Sequence, residues 1–289
     1  MLNAAPATLG RVVSLWRYPV KSMMGEELSV SDVSERGLLG DRAYALVDRS
    51  NGRVASAKNP RKWAKLFDCR AALVKPPRAG ERTPAAQITL LNGSSMTSER
   101  ADLNQILSNE LGREITLTAT PPEAPSLEEY WPDIDGLAHR EKVTDEAMAL
   151  GAPTGTFFDF AAIHVLTTAT LARFQQLYPP GRFDVRRFRP NLVVETISSK
   201  KDFVENAWVG HTLAVGDEVR LSVLIPCPRC VMTTLPQGDL PNDPGILRAA
   251  AQHNKVMIAP LGQAMPSVGV YAAVLRGGVV RRGDSCWLE

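Results

Sequence analysis

Apolar and polar residues alternate with a period of two through much of the first third of the chain, and turn residues interrupt the alternation at short intervals. Such a pattern demands short strands closed by tight turns, as in a β-barrel or sandwich. Arg11 to Val20 reads as a strand, and Ala43 to Asp48 and Arg53 to Ala57 flank Asn51-Gly52, a pair that tolerates the positive φ angles of a hairpin. Gln87 to Leu91 ends at Asn92-Gly93. Leu103, Ile106, Leu107 and Leu111 then recur at helical spacing, with Gly112 placed to stop the helix. A first unit, 1–120, closes there. Residues 121–152 are rich in Pro, Glu and Asp without a strong period and read as a connecting segment or surface loop.

The second unit, 153–289, opens on Phe157 to Leu166, apolar apart from Asp159 and His164. Thr167 or Thr168 then caps a helix with Leu171, Phe174, Leu177 and Tyr178 on one face, and Pro179-Pro180 stops it. Strands are expected at Asn191 to Thr196, Thr212 to Val215, Glu218 to Ile225, Val268 to Leu275 and Val279 to Leu288. Gly216-Asp217, Gly277-Gly278 and Gly283-Asp284 supply turns between them. The expected fold class is mainly β with a few helices (α+β), arranged as two β-barrel-like units. No repeat of 20 to 50 residues is present, which argues against a solenoid or propeller.

Composition narrows the function classes. A chain of 289 residues fits two domains at roughly 150 residues each. A net charge of +2 argues against a dedicated nucleic-acid binder. Cysteines at 69, 227, 230 and 286 are too few and too scattered for a disulfide framework, so a reducing, cytoplasmic setting is expected. The opening residues Met1 to Ala7 lack the charged and apolar regions of a secretory signal. Val256 to Leu275 is long enough to span a bilayer and carries no formal charge. Pro260, Pro266, Gly262 and Gly269 would break a helix there, so it reads as a loop followed by a buried strand from Val268, and no membrane span is expected.

The sharpest local feature is Pro226-Cys227-Pro228-Arg229-Cys230, directly after the apolar run Leu221 to Ile225. Four readings are open. A structural zinc site would need two further Cys or His ligands, and the chain offers Cys69, Cys286 and four dispersed histidines. A dithiol redox site belongs at a helix N-terminus, and Val231 to Pro236 is poor helix material. A single reactive or metal-bound thiolate is favoured by the guanidinium of Arg229 beside it. Two small buried thiols in a turn would need no chemistry at all.

A second feature is basic. Arg182, Arg186, Arg187 and Arg189 alternate with Phe183 and Phe188 as on a strand with a charged face. Such a strand is a solvated sheet edge or an anion site. With no aromatic stacking platform or basic stripe elsewhere, a small anionic ligand is the expected partner rather than nucleic acid. Lys21, after Tyr18-Pro19-Val20, and Asp41-Arg42, after Gly37-Leu38-Leu39-Gly40, are further candidates. Each alone is equally a solvated charge or a turn acceptor.

Taken in order, Tyr18-Pro19-Val20-Lys21-Ser22, Gly40-Asp41-Arg42, Phe188-Arg189-Pro190-Asn191 and Arg229-Cys230-Val231-Met232-Thr233-Thr234 resemble the MOSC family in its two-part form, an N-terminal MOSC barrel ahead of a MOSC domain. Mitochondrial amidoxime-reducing components and their bacterial relatives are members. The resemblance covers nearly the whole chain. It implies an oxidoreductase carrying a molybdenum-molybdopterin (pyranopterin) cofactor, with Cys230 as metal ligand and catalytic residue. It further implies that Lys21, Asp41, Arg42 and Arg189 hold the pterin and its phosphate. Asn191 shapes the turn, Arg229 is a further cofactor contact, and Asp159 and Tyr271 resemble less specific ones. A soft thiolate suits a metal already carrying sulfur, and clustered Lys and Arg suit a phosphate.

The implied reaction is two-electron reduction of small N-hydroxylated substrates such as amidoximes and hydroxylamines. The chain departs from the family after Thr234. Leu235-Pro236-Gln237-Gly238-Asp239-Leu240-Pro241 replaces a frequent Asp-Pro-x-Thr-Gly turn, just downstream of the metal ligand. No cysteine-rich extension follows Glu289, so electrons are expected from a separate ferredoxin-, flavodoxin- or cytochrome b5-like protein, and no N-terminal anchor is read. The alternative within the family is a cofactor carrier or sulfur-transfer module with a persulfide on Cys230.

Overall fold

Seven strands close on themselves in the computed structural model, which describes residues 8–289. The reading of Met1 to Ala7 falls outside the described residues. Around the barrel run Ile163–Thr167, Leu192–Thr196, Gly10–Arg17, Ser285–Leu288, Thr212–Val215, Val219–Pro228 and Gln263–Arg276, and the last pairs back with the first. All neighbours are antiparallel except Ile163–Thr167 and Leu192–Thr196. Strict alternation explains the closure. Val219, Leu221, Val223, Ile225 and Cys227 are the buried residues of a strand whose other side chains, up to Leu224, point outward. Val219, Leu221 and Val223 meet Val12, Leu15, Val165, Val194, Val215 and Val270 inside, while Ile225 packs with Trp131, Ile258 and Met265. Closure leaves this core without a sheet edge.

Sequence order assigns the first strand to the first unit. Its hydrogen bonds place it in the second: Val12 pairs with Val194 and Gly10 with Cys286. The N-terminal unit proper packs Ala45–Asp48 against Ile115–Thr118 and joins Arg70–Leu73, Ala86–Thr89 and Ser95–Thr97 in a three-stranded sheet. Helix Leu103–Leu111 buries Leu103, Leu107 and Leu111 against that sheet's core. Gly112 ends it in the left-handed conformation at φ 69°. Asn51-Gly52 turns tightly, with Gly52 at φ 72°. Only a bridge from Val47 to Val54 follows, because the Val54 N–H donates to Ser126 O instead.

Three further segments differ from the sequence expectation. Residues 121–152 hold an antiparallel hairpin, Ser126–Trp131 with Lys142–Ala147. Glu128, Glu129, Lys142, Asp145 and Glu146 populate both of its faces, which erases the apolar alternation that announces a strand. Val185–Phe188 is a helical turn, not a strand: Asp184 Oδ1 accepts from the Arg186 N–H at 2.9 Å and caps it. Lys255–Ile258 is itself a strand, and the expected strand from Val268 begins earlier, at Gln263. Among the described residues no helix is long and apolar enough to cross a membrane.

Candidate functional site

Cys230 leaves the barrel where Val219–Pro228 ends and heads a short 3-10 turn, Val231–Thr234. The Thr233 hydroxyl and backbone N–H both donate to Cys230 O, at 3.1 and 3.3 Å, and fix that turn. Val231, Met232 and Leu235 pack on Ala57 and Phe67 of the N-terminal unit, so the turn is gripped by both halves. Cys69, Cys227 and Cys286 are buried; Cys230 alone of the four thiols is partly exposed. It lines a cleft with Lys58, Glu129, Asp159, Arg229 and Tyr271. Burial pushes its thiol up to about 11, Glu129 adds to the rise, and Lys58 and Arg229 oppose it.

A second cavity adjoins the first through Asp159 and Tyr271, which line both. Lys21, Arg42, Arg189 and Asn191 complete its polar wall. Lys21 Nζ pairs with Asp159 and donates to Phe157 O at 2.9 Å. Burial raises the Asp159 carboxyl, but the Lys21 and Lys58 ammonium groups outweigh it and hold Asp159 well below the usual carboxylate range. Lys58 itself pairs with Glu129 at 3.0 Å and lies 3.8 Å from Asp159. The guanidinium carbons of Arg42 and Arg189 stand 4.5 and 4.1 Å from the centre of the Tyr18 ring. Burial and the nearby Arg42 depress Arg189 to about 10, which leaves it charged at neutral pH.

Asp41 faces the protein, not the cavity. Its carboxylate pairs with Arg42 and accepts from the Asn191 amide at 2.8 Å and the Tyr18 N–H at 2.7 Å. Asn191 Oδ1 in turn accepts from the His164 N–H at 3.1 Å. Three non-glycine residues here hold positive φ: Ser22 at 64°, Arg42 at 47° and Arg189 at 55°. Such strain concentrates where surrounding contacts fix a side chain in place. Arg182 and Arg186, by contrast, are tied up with Asp239 and Asp184, and Arg187 is fully buried among carbonyls, so only Arg189 of that cluster reaches the cavity.

The nine residues singled out in the sequence thus lie in or directly behind two adjoining cavities. Lys58, Glu129, Ser22 and His164 line the same cavities and were not singled out as site residues. Lys58 carried a signal, a charge directly after the buried run Val54-Ala55-Ser56-Ala57. Glu129 carried none in its acidic stretch. Among the described residues no group of three or more His, Cys, Asp or Glu is arranged to hold a metal.

The residue set fits an anionic, metal-bearing group. Lys21, Arg42, Lys58, Arg189 and Arg229 meet four carboxylates, Glu129, Glu146 and Asp159 in the lining and Asp41 behind Arg42. Arg229 donates to Cys227 Sγ at 2.7 Å and Phe188 O at 3.0 Å, while its buried Nε has no partner. An excess of buried cations with an orphan donor is a demand for an anion.

The MOSC domain family matches residues 153–287, and the MOSC N-terminal beta barrel domain matches residues 9–73. Mitochondrial amidoxime reducing component 2 of Rattus norvegicus is 23% identical over 96% of this chain and 82% of its own length. Mitochondrial amidoxime-reducing component 1 of Mus musculus is 23% identical over 97% of this chain and 82% of its own. The crystal structure of the YuaD protein from Bacillus subtilis aligns over 96% of this chain and 94% of its own, at 11% identity and a TM-score of 0.45. With both family domains matched in order around the site, the chain belongs to the MOSC family, in the form that carries the N-terminal MOSC barrel.

Proposed function

We propose that the protein is a molybdenum cofactor-dependent reductase of small N-hydroxylated compounds, using electrons from a separate donor protein. The observation that carries this reading is the placement of the one partly exposed thiol, Cys230, beside a surplus of buried cations drawn from both halves of the chain. The named activity of its relatives, amidoxime reduction, supports it. The balanced reaction takes R–N–OH, two electrons and two protons to R–N–H and water.

The cofactor, when bound, supplies the two-electron redox couple. Cys230 gives up its thiol proton to become the metal ligand, and cofactor binding is therefore pH-dependent. Lys21, Arg42 and Arg189 neutralise the pterin phosphate, while Asp41 and Asn191 hold Arg42 and the Arg189 turn from behind. Arg229 Nε offers a donor to the cofactor. Tyr271, whose phenol burial keeps protonated, offers an O–H at the junction of the two cavities.

The test is metal and pterin content after expression in a host that makes the cofactor, followed by reduction of an amidoxime with a chemical electron donor. About one molybdenum per chain, lost in Cys230→Ala together with activity, is the expected result. Full molybdenum retention in Cys230→Ala, or a molybdenum-free wild type, overturns the reading. A wild type without metal that carries a persulfide on Cys230 establishes the sulfur-transfer alternative.

A further inference from the structure

The hairpin Ser126–Trp131/Lys142–Ala147 lies between the two family-matched segments and forms a wall of the Cys230 cleft. Alternation puts Glu129, Trp131, Thr144 and Glu146 on one face, with Thr144 directly opposite Glu129. Three of them, Glu129, Trp131 and Glu146, line the cleft. Trp131 Nε1 donates to Thr144 Oγ1 at 2.7 Å, and the Thr144 hydroxyl donates to Glu146 Oε1 at 2.6 Å. This chain of bonds fixes the Glu146 carboxylate and leaves Oε2 free.

The cations that line the cleft are turned to other groups. Lys58 is taken by Glu129 and Asp159, and Arg229 is turned to Cys227 Sγ and Phe188 O. Among the described residues no cation pairs with Glu146, whose one bonded partner is the Thr144 hydroxyl. The remaining wall is largely aromatic: Trp131, with the His139 ring edge-on to it at 5.3 Å, and Phe160 stacked on Tyr271 with centroids 5.7 Å apart, while Gln263 adds one neutral polar group. Leu150 and Leu261, exposed by 65% and 44%, carry the apolar lining outward to the rim. An unpaired carboxylate set into an aromatic slot is complementary to a planar ring bearing a delocalised nitrogen cation.

We infer that Glu146, positioned by Trp131 and Thr144, makes the Cys230 cleft select aromatic cations over neutral and anionic compounds of the same shape. As a statement about substrates this rests on the cleft being the reaction site proposed above. It predicts that a strongly basic reduced product, an amidine or guanidine, is held more tightly than a neutral amide and inhibits turnover more strongly.

Calorimetric titration of the cofactor-loaded protein with benzamidine, benzamide and benzoate tests it. Benzamidine is expected to bind about tenfold tighter than benzamide, and benzoate weakest. Glu146→Gln keeps the shape and the bond from Thr144, and should remove that preference while leaving benzamide affinity within about twofold. Trp131→Phe, which keeps a ring but loses the bond to Thr144, should weaken benzamidine by an intermediate factor.

Equal affinity for benzamidine and benzamide, no measurable benzamidine binding at millimolar concentration, or an unchanged preference in Glu146→Gln overturns the inference. Molybdenum content and amidoxime reduction in the same preparations report separately on the function. A loaded, active, charge-blind protein defeats only this inference. A metal-free protein that selects benzamidine through Glu146 defeats only the reading of the function.

Discussion

Asn191 donates from Nδ2 to Asp41 Oδ2 at 2.8 Å, joining residues 150 positions apart in sequence. The same amide accepts from the His164 N–H, so one side chain ties the Gly40 turn to two barrel strands. Asn191→Ala leaves the fully buried Asp41 carboxylate short of a donor and the His164 N–H without an acceptor. The expected cost is about 2 to 3 kcal/mol in chemical denaturation. A loss below about 1 kcal/mol would show that water replaces the amide without penalty.

Arg187 is fully buried and spends its guanidinium on four backbone carbonyls, Arg182, Thr233, Leu235 and Pro241, at 2.8 to 3.3 Å. Two of these belong to the segment just after Cys230. Arg187→Ala should cost about 3 kcal/mol or more, because it orphans several buried acceptors at once. Arg187→Lys should not restore stability, since an ammonium lacks the planar fork that spans separate carbonyls. Thermal or denaturant midpoints of the pair check both statements.

His164 is held down to about 3 by burial and the nearby charge of Arg229, and its Nε2 lies 3.0 Å from Val268 O. The folded protein therefore keeps the ring neutral, whereas the unfolded chain takes up the proton near pH 6.5. Stability relative to His164→Gln should be constant above pH 6.5. It should fall by up to about 1.4 kcal/mol for each unit of acidification between pH 6.5 and 3. Parallel pH profiles of wild type and variant would contradict this.

Gly269 sits at φ 80°, and a Cβ there would come within 2.3 Å of His164 Nε2 and 2.5 Å of Val165 O. The second of these is backbone in the neighbouring strand and does not yield. Gly269→Ala should destabilise the protein by about 2 kcal/mol or more. It should also reduce cofactor retention, because Tyr271 lies two residues further along the same strand. Molybdenum content measured beside the melting temperature separates the two effects.

Much of the barrel was legible because its strands are short apolar or alternating runs bounded by turn residues. Thr212–Val215 and Leu192–Thr196 fall within a residue of the sequence reading, and Thr167 caps its helix by accepting from the Thr170 N–H. The polar hairpin of residues 126–147 was not, since its buried face holds Glu129 and Trp131 where alternation looks for aliphatic residues. Arg-Phe alternation imitated a strand at 182–189, and the overlooked signal was Asp184 as a helix cap. At the site, local motifs pointed to Lys21, Arg42, Arg189 and Cys230. Glu129 comes from the hairpin the sequence hid and Lys58 follows the expected strand Arg53 to Ala57, and the proximity of the two is a product of the fold alone.

The pairing of Gly10 with Cys286 has a consequence for how the molecule is made. Gly10–Arg17 is synthesised long before Ser285–Leu288 and finds that one of its two barrel neighbours only after residue 285 has been made. Until then Gly10 to Val12 lack their backbone partners on that side, while Leu15 to Arg17 already pair with the nearby Glu26–Leu28. Loop closure over nearly the whole chain makes barrel formation a late and slow event, completed after translation. The half-made protein is thus the aggregation-prone species, and the two adjoining cavities, which need residues from Lys21 to Tyr271, arise only once both parts have been made.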